Sequence, residues 1–108
     1  MKKNIFFLLA AVFSTQLMAQ NILQGKLTEE NNGESLFGAT IYINDIKKGT
    51  MTDSAGFYRI ENIPSGKFLV EYRYLGYESQ FIRIDISGTT EQNVTLKEIH
   101  IDLKDALI

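Results

Sequence analysis

The stretch Thr52-Asp53-Ser54-Ala55-Gly56-Phe57 sets a carboxylate and a hydroxyl beside a bend-forming glycine, the materials of a calcium loop. Calcium takes about six to eight oxygens, and an EF-hand loop adds further Asp or Asn side chains at alternate positions and a Glu at the twelfth. Ala55 and Phe57 hold the alternate positions here. The same residues also make a β-hairpin corner, in which the Asp53 carboxylate accepts backbone N–H groups and Gly56 supplies a positive φ. The corner is the simpler reading, and no metal ligand set is assigned.

Nucleophilic chemistry finds equally little to work with. His100 is the single histidine, there is no cysteine, and no G-x-S-x-G elbow presents a serine. His100 reads as a solvent-facing strand residue between Ile99 and Ile101. The carboxylate pair Glu29-Glu30 falls in a polar turn, where solvation explains it better than general acid–base work. Lys26, Glu71 and Asn93 could form a self-catalysed Lys–Asn isopeptide bond if buried together between two sheets. The alternation around Lys26 points it outward, and an incompletely assembled buried triad is costly. No catalytic residue, cofactor site or metal site is assigned.

An aromatic group remains: Phe57, Phe68, Tyr72, Tyr74 and Tyr77. Exposed together, these rings would form a stacking platform for a sugar or peptide. Spacing of two places Phe68, Val70, Tyr72 and Tyr74 on one face of a strand, and core burial is the default for such a row. Tyr77, directly after Gly76, either stands apart from that row or tucks its ring under a corner with its hydroxyl bonded to backbone.

The elements that would hold these residues are strands. Ala39, Ile41 and Ile43 alternate with Thr40, Tyr42 and Asn44, and Ile82, Ile84 and Ile86 alternate with Arg83 and Asp85. That period of two gives each segment one core face and one wet face. Turn residues recur at short intervals: Asn31-Asn32-Gly33, Asn44-Asp45, Asp53 to Gly56, Pro64-Ser65-Gly66, Gly76 and Ser87-Gly88. Pro64 lacks a donor and suits a corner, not a central strand. The pattern predicts an all-β, seven-stranded antiparallel sandwich, with strands near 22–28, 37–44, 48–53, 57–61, 67–75, 80–86 and 92–98. Gly38, Asp53, Gly56, Pro64, Gly66, Gly76 and Tyr77 are its turn and signature residues.

Length and charge narrow the function classes. The chain has 108 residues, 44% hydrophobic, enough for one domain. Residues 1–19 have the layout of a secretory signal peptide: Lys2 and Lys3, an apolar run from Ile5 to Phe13, and a small residue in Met18-Ala19-Gln20. That run is too short to span a bilayer, which disfavours an uncleaved anchor. Leu17 leaves the cut defined to within a residue or two, and no cysteine follows to carry a lipid. Without the two leader lysines, nine basic residues face thirteen acidic ones, a net charge of −4. Such a chain has no patch for neutralising phosphates, so nucleic acid is not a partner. Export without cysteine leaves stability to the core alone.

In order along the chain, Gly25-Lys26-Leu27, Glu34-Ser35-Leu36-Phe37-Gly38-Ala39-Thr40-Ile41, Gly49 through Tyr58, Ile63-Pro64-Ser65-Gly66-Lys67-Phe68 and Tyr74-Leu75-Gly76-Tyr77-Glu78 resemble the carboxypeptidase-regulatory-like domain. That family has a transthyretin-like β-sandwich fold. Gly76-Tyr77-Glu78 behind a leader ending in Ala-Gln is similar to the N-terminal extension of Bacteroidetes-type TonB-dependent outer-membrane receptors. The resemblance implies an exported domain over 20–98 at the periplasmic face of the outer membrane, without cofactor, contacting the receptor's plug and barrel or the energy-coupling complex during nutrient uptake. Residues 99–108 would be a C-terminal strand or linker toward a plug. There Asp105 matches the acidic place of the family's join, while Ala106, Leu107 and Ile108 replace its valine run. No barrel strands follow within these residues, so they alone would not transport. The alternative expectation is a stand-alone secreted or surface module that binds a glycan or a partner protein.

Overall fold

A computed structural model describes residues 21–100. Strand β1 (Asn21–Glu29) is followed by β2 (Thr40–Ile43), a 3-10 turn over Asn44–Ile46, β3 (Lys48–Met51), β4 (Phe57–Ile63), β5 (Gly66–Arg73), β6 (Gln80–Ile86), β7 (Thr89–Glu91) and β8 (Val94–Leu96). Two sheets result. One runs β3-β2-β5-β6, antiparallel throughout; the other has β1 at its centre, β4 antiparallel on one side and β7 and β8 parallel on the other.

The alternation read from the sequence becomes burial. Leu23 and Leu27 of β1, Ile41 and Ile43 of β2, Val70 and Tyr72 of β5, Ile86 of β6 and Leu96 of β8 are all fully buried. They meet between the sheets with Leu36, Ala39, Tyr58, Ile60, Ile63, Ile84 and Val94, forming one apolar core. Side chains on the two inner faces of a sandwich interdigitate in this way, and each fully buried aliphatic residue contributes about 1.5–3 kcal/mol relative to exposure.

Several strand ends differ from the alternation pattern, β3 stopping at Met51 and β5 at Arg73 among them, and three have a visible local cause. β2 begins at Thr40, because Gly38 adopts a φ of +82° and the preceding segment is held by the Thr52 hydroxyl. That hydroxyl donates to Leu36 O and accepts from Ala39 N. β4 reaches Ile63 with Asn62 at φ +58°, a left-handed residue just ahead of Pro64. The final strand starts at Thr89, just past Gly88, and is broken at Gln92-Asn93 into β7 and β8. Both pieces lie parallel to β1, not antiparallel.

One buried polar side chain ties the corners of the sandwich. Asn21 Nδ2 donates to Ile63 O at 2.8 Å and to Ser65 Oγ at 2.9 Å, while Asn21 Oδ1 accepts from Gly88 N at 2.8 Å. The start of β1 thereby fixes both the β4–β5 and the β6–β7 connections, and its amide has partners for each of these groups, as burial requires. The leader expected over residues 1–19 and the join from Ile101 to Ile108 lie outside the described residues.

Candidate functional site

Asp53 sits between β3 and β4 and is exposed. Its Oδ1 accepts from Ala55 N at 3.0 Å and Phe57 N at 2.9 Å, and its backbone carbonyl accepts from Gly56 N at 2.9 Å. This is an Asx-type corner, with the carboxylate aimed at the turn's own N–H groups. Gly56 has a φ of +82°, and a Cβ there would stand 2.6 Å from Leu27 O. The loop is pressed against β1, with Leu27 N donating to Gly56 O at 2.8 Å. Among the described residues no cluster of three or more His, Asp or Glu side chains could hold a metal ion.

The remaining signature residues also lie at corners. Pro64 and Gly66, the latter with φ +146°, join β4 to β5. Gly76, with φ +87°, closes the turn in which Tyr77 N donates to Tyr74 O at 3.0 Å, leaving Leu75 fully exposed at the tip. The Tyr77 ring is half-buried, 5.3 Å from that of Tyr74. Its turn is stitched to the segment after β8 by Glu78 N to Lys97 O and Ile99 N to Gly76 O.

The candidate chemical groups do not converge. Lys26 Nζ lies 5.4 Å from the centre of the Phe57 ring, and it is the backbone N–H of Lys26 that reaches Asn93 Oδ1, at 2.9 Å. Glu71 is in the other sheet, 4.0 Å from Arg73. The isopeptide triad is therefore not assembled. His100 is exposed past the end of β8, outside any strand. Glu29 is not a solvated turn residue: it ends β1, is buried, and its Oε2 accepts from Asn32 N at 2.9 Å, while Glu30 is exposed.

The five aromatic residues also separate. Tyr72 is in the core, Phe68 and Tyr74 pack against its margin, and Phe57 is on the outer face of the β1 sheet. Tyr58 and Tyr72 meet edge to face at 5.6 Å, with hydroxyls 2.8 Å apart. Tyr58 Oη donates to Gln92 O at 2.6 Å, so its proton is committed and Tyr72 is the donor between the two. The β7–β8 break makes this chain possible, because it pushes the Gln92 carbonyl inward against Gly25. A Cβ on Gly25 would come within 1.9 Å of that oxygen. A glycine in a strand interior signals such a close backbone approach, and Gly25 was the readable trace of the network. Burial pushes the Tyr58 phenol up to about 12, the Tyr72 hydrogen bond partly offsetting it, and burial raises Tyr72 as well.

What the described surface does offer is an outer sheet face and an edge. Tyr42, Leu69 and Phe81, with Glu71 and Arg73, line a shallow recess of about 360 Å³ on the outer face of the β2-β5-β6 sheet. Leu69 and Phe81 are 41% and 60% exposed. Both sit out of phase with the inward rows of their strands, so the alternation that marks the core row also marks them as outward.

The described residues form a two-sheet β-sandwich with one continuous core and structured corners. Residues 23–108 match the CarboxypepD_reg-like domain family, and the chain belongs to that family. It is 25% identical over 107 residues, 98% of its length, to TonB-dependent receptor P3 of Formosa agariphila. It is 33% identical over 98 residues, 87% of its length, to TonB-dependent receptor P39 of the same organism. The chain spans only 10% and 9% of those receptors. In fold it is similar to a type II cohesin–X-dockerin complex chain from Acetivibrio cellulolyticus, at a TM-score of 0.63 and 17% identity, covering 69% of this chain and 56% of that one. It is also similar to 3-chlorocatechol 1,2-dioxygenase from Rhodococcus opacus, at 0.60 and 11%, covering 79% and 62%. One sandwich thus serves proteins of unrelated activity, and function has to be argued from the site.

Proposed function

We propose that the chain is a non-catalytic accessory domain of a TonB-dependent outer-membrane receptor, acting at the periplasmic face by contact with protein. The observation that carries this reading is the match, over nearly the whole chain, to a small fraction of two such receptors. A tenth of a receptor is too little for a membrane barrel, and suits a module attached to one. The exposed Leu69 and Phe81 on the outer face of the β2-β5-β6 sheet offer apolar surface for contact with protein.

On this reading residues 1–19 are a cleaved leader, 20–98 the sandwich, and 99–108 the lead toward the membrane-embedded part. The proposed partners are the receptor's own plug and barrel or the energy-coupling complex, in the service of nutrient uptake. Fractionation with N-terminal sequencing of the chain, expressed from its own start codon in a Gram-negative host, tests the placement. The expected product is periplasmic or outer-membrane associated and begins near Gln20. A cytoplasmic product that keeps Met1 contradicts it.

A further inference from the structure

Among the described residues four strand edges border the two sheets, and three of them are blunted. The β4 edge carries the left-handed Asn62 and a register shift, and Lys48 Nζ caps its Glu61 and Asn62 carbonyls at 2.9 and 2.7 Å. β3 is four residues long, and β7 and β8 are three each, separated by the break at Gln92-Asn93. β6 has none of these devices. Its seven residues pair with β5 in unbroken register from Gln80 to Ile86, and its other side has no strand partner among the described residues. It contains no proline and no inward charge: Ile82, Ile84 and Ile86 face the core, and Phe81, Arg83 and Asp85 face out. Proteins normally protect an edge of this length, because its row of unpaired N–H and C=O groups is a template for another strand.

We infer that β6 is a docking edge whose occupant is the β6 strand of a second copy of this chain, paired antiparallel about a two-fold axis through Ile84. The charges select that register. Only residues on the same face can pair, so the axis must pass through a residue. Centred on Arg83, the pairing sets arginine against arginine; centred on Asp85, it sets aspartate against aspartate. Centred on Ile84, Arg83 of each copy faces Asp85 of the other, and Ile82 meets Ile86 beneath them. Opposite charges directly across an antiparallel pair are favourable and like charges unfavourable, so the strand is self-complementary in this alignment. An isologous contact of this kind closes as a dimer and does not propagate. The inference rests on the edge alone and stands apart from the receptor reading.

Sedimentation analysis across a concentration series of the purified full chain tests it, with Arg83→Asp, Asp85→Arg and the double reversal. Both side chains are exposed, so the variants keep the fold, which circular dichroism verifies. The expected result is reversible dimerisation of the unaltered chain, weakened about tenfold or more by either single reversal, since each sets like charges across the axis twice. Equal mixing of the two single variants restores a heterodimer, and the double reversal restores the homodimer. A chain that stays monomeric throughout the series overturns the inference. So does a dimer indifferent to the single reversals, which would place the contact elsewhere.

Discussion

Asp53 shows how far a residue's type underdetermines its work. An aspartate between a strand end and a glycine can serve a ligand or a corner; Ala55 and Phe57 at the alternate positions favour the corner, and the direction of the carboxylate agrees. Oδ1 accepts from Ala55 N and Phe57 N, so the carboxylate closes the turn itself. Asp53→Ala is therefore expected to lower stability by about 1 kcal/mol through those lost bonds. Asp53→Asn, which keeps the acceptor, should recover most of the loss. Urea unfolding with and without calcium checks this: equal midpoints in the two conditions are expected for the unaltered chain, and a calcium-dependent rise would reinstate the ligand. The Asx corner was legible in the sequence. The burial of Glu29 was not, since nothing in Glu29-Glu30 signals that the first ends a strand whose inner row continues through it.

At the scale of elements, period-two alternation read most of the strands correctly because each has one wet and one dry face. It failed at the end of the chain for a reason that belongs to no single segment. β7 and β8 are short and follow opposite ends of β1, and the step between them exists because Gly25 leaves room for the Gln92 carbonyl. The resulting hydroxyl chain, Tyr72 to Tyr58 to Gln92 O, couples β5 in one sheet to β4 and the β7–β8 step in the other. Its pH dependence follows from the raised phenols. Folded Tyr58 titrates at about 12 against about 10 unfolded, so its contribution is whole below pH 10 and is lost as the pH rises toward 12. Tyr72, raised further, adds to the same slope. Alkaline unfolding above pH 10, followed by circular dichroism and tyrosinate absorbance together, should show these two phenols ionising with the loss of fold. Tyr58→Phe should flatten that dependence and cost about 1–3 kcal/mol at neutral pH, because it orphans both the Tyr72 hydroxyl and the Gln92 carbonyl. Ionisation of all five tyrosines near pH 10 in a folded chain would contradict the account.

For the whole molecule, the sandwich and its family were readable because corner residues and alternation recur in order along one short chain. The surface was less so: the outward Phe81, Arg83 and Asp85 matter through which edge they occupy, and edges are set by sheet order, which one-dimensional periodicity does not contain. The proposed role of this sandwich is to assist a receptor without doing chemistry. In-frame deletion of residues 21–100 from the gene in its own cell, with nutrient uptake and outer-membrane receptor abundance measured together, tests it most directly. The account predicts that uptake through the associated receptor falls while the barrel is still assembled in normal amount. Unchanged uptake, with the receptor present at its usual level, would contradict it.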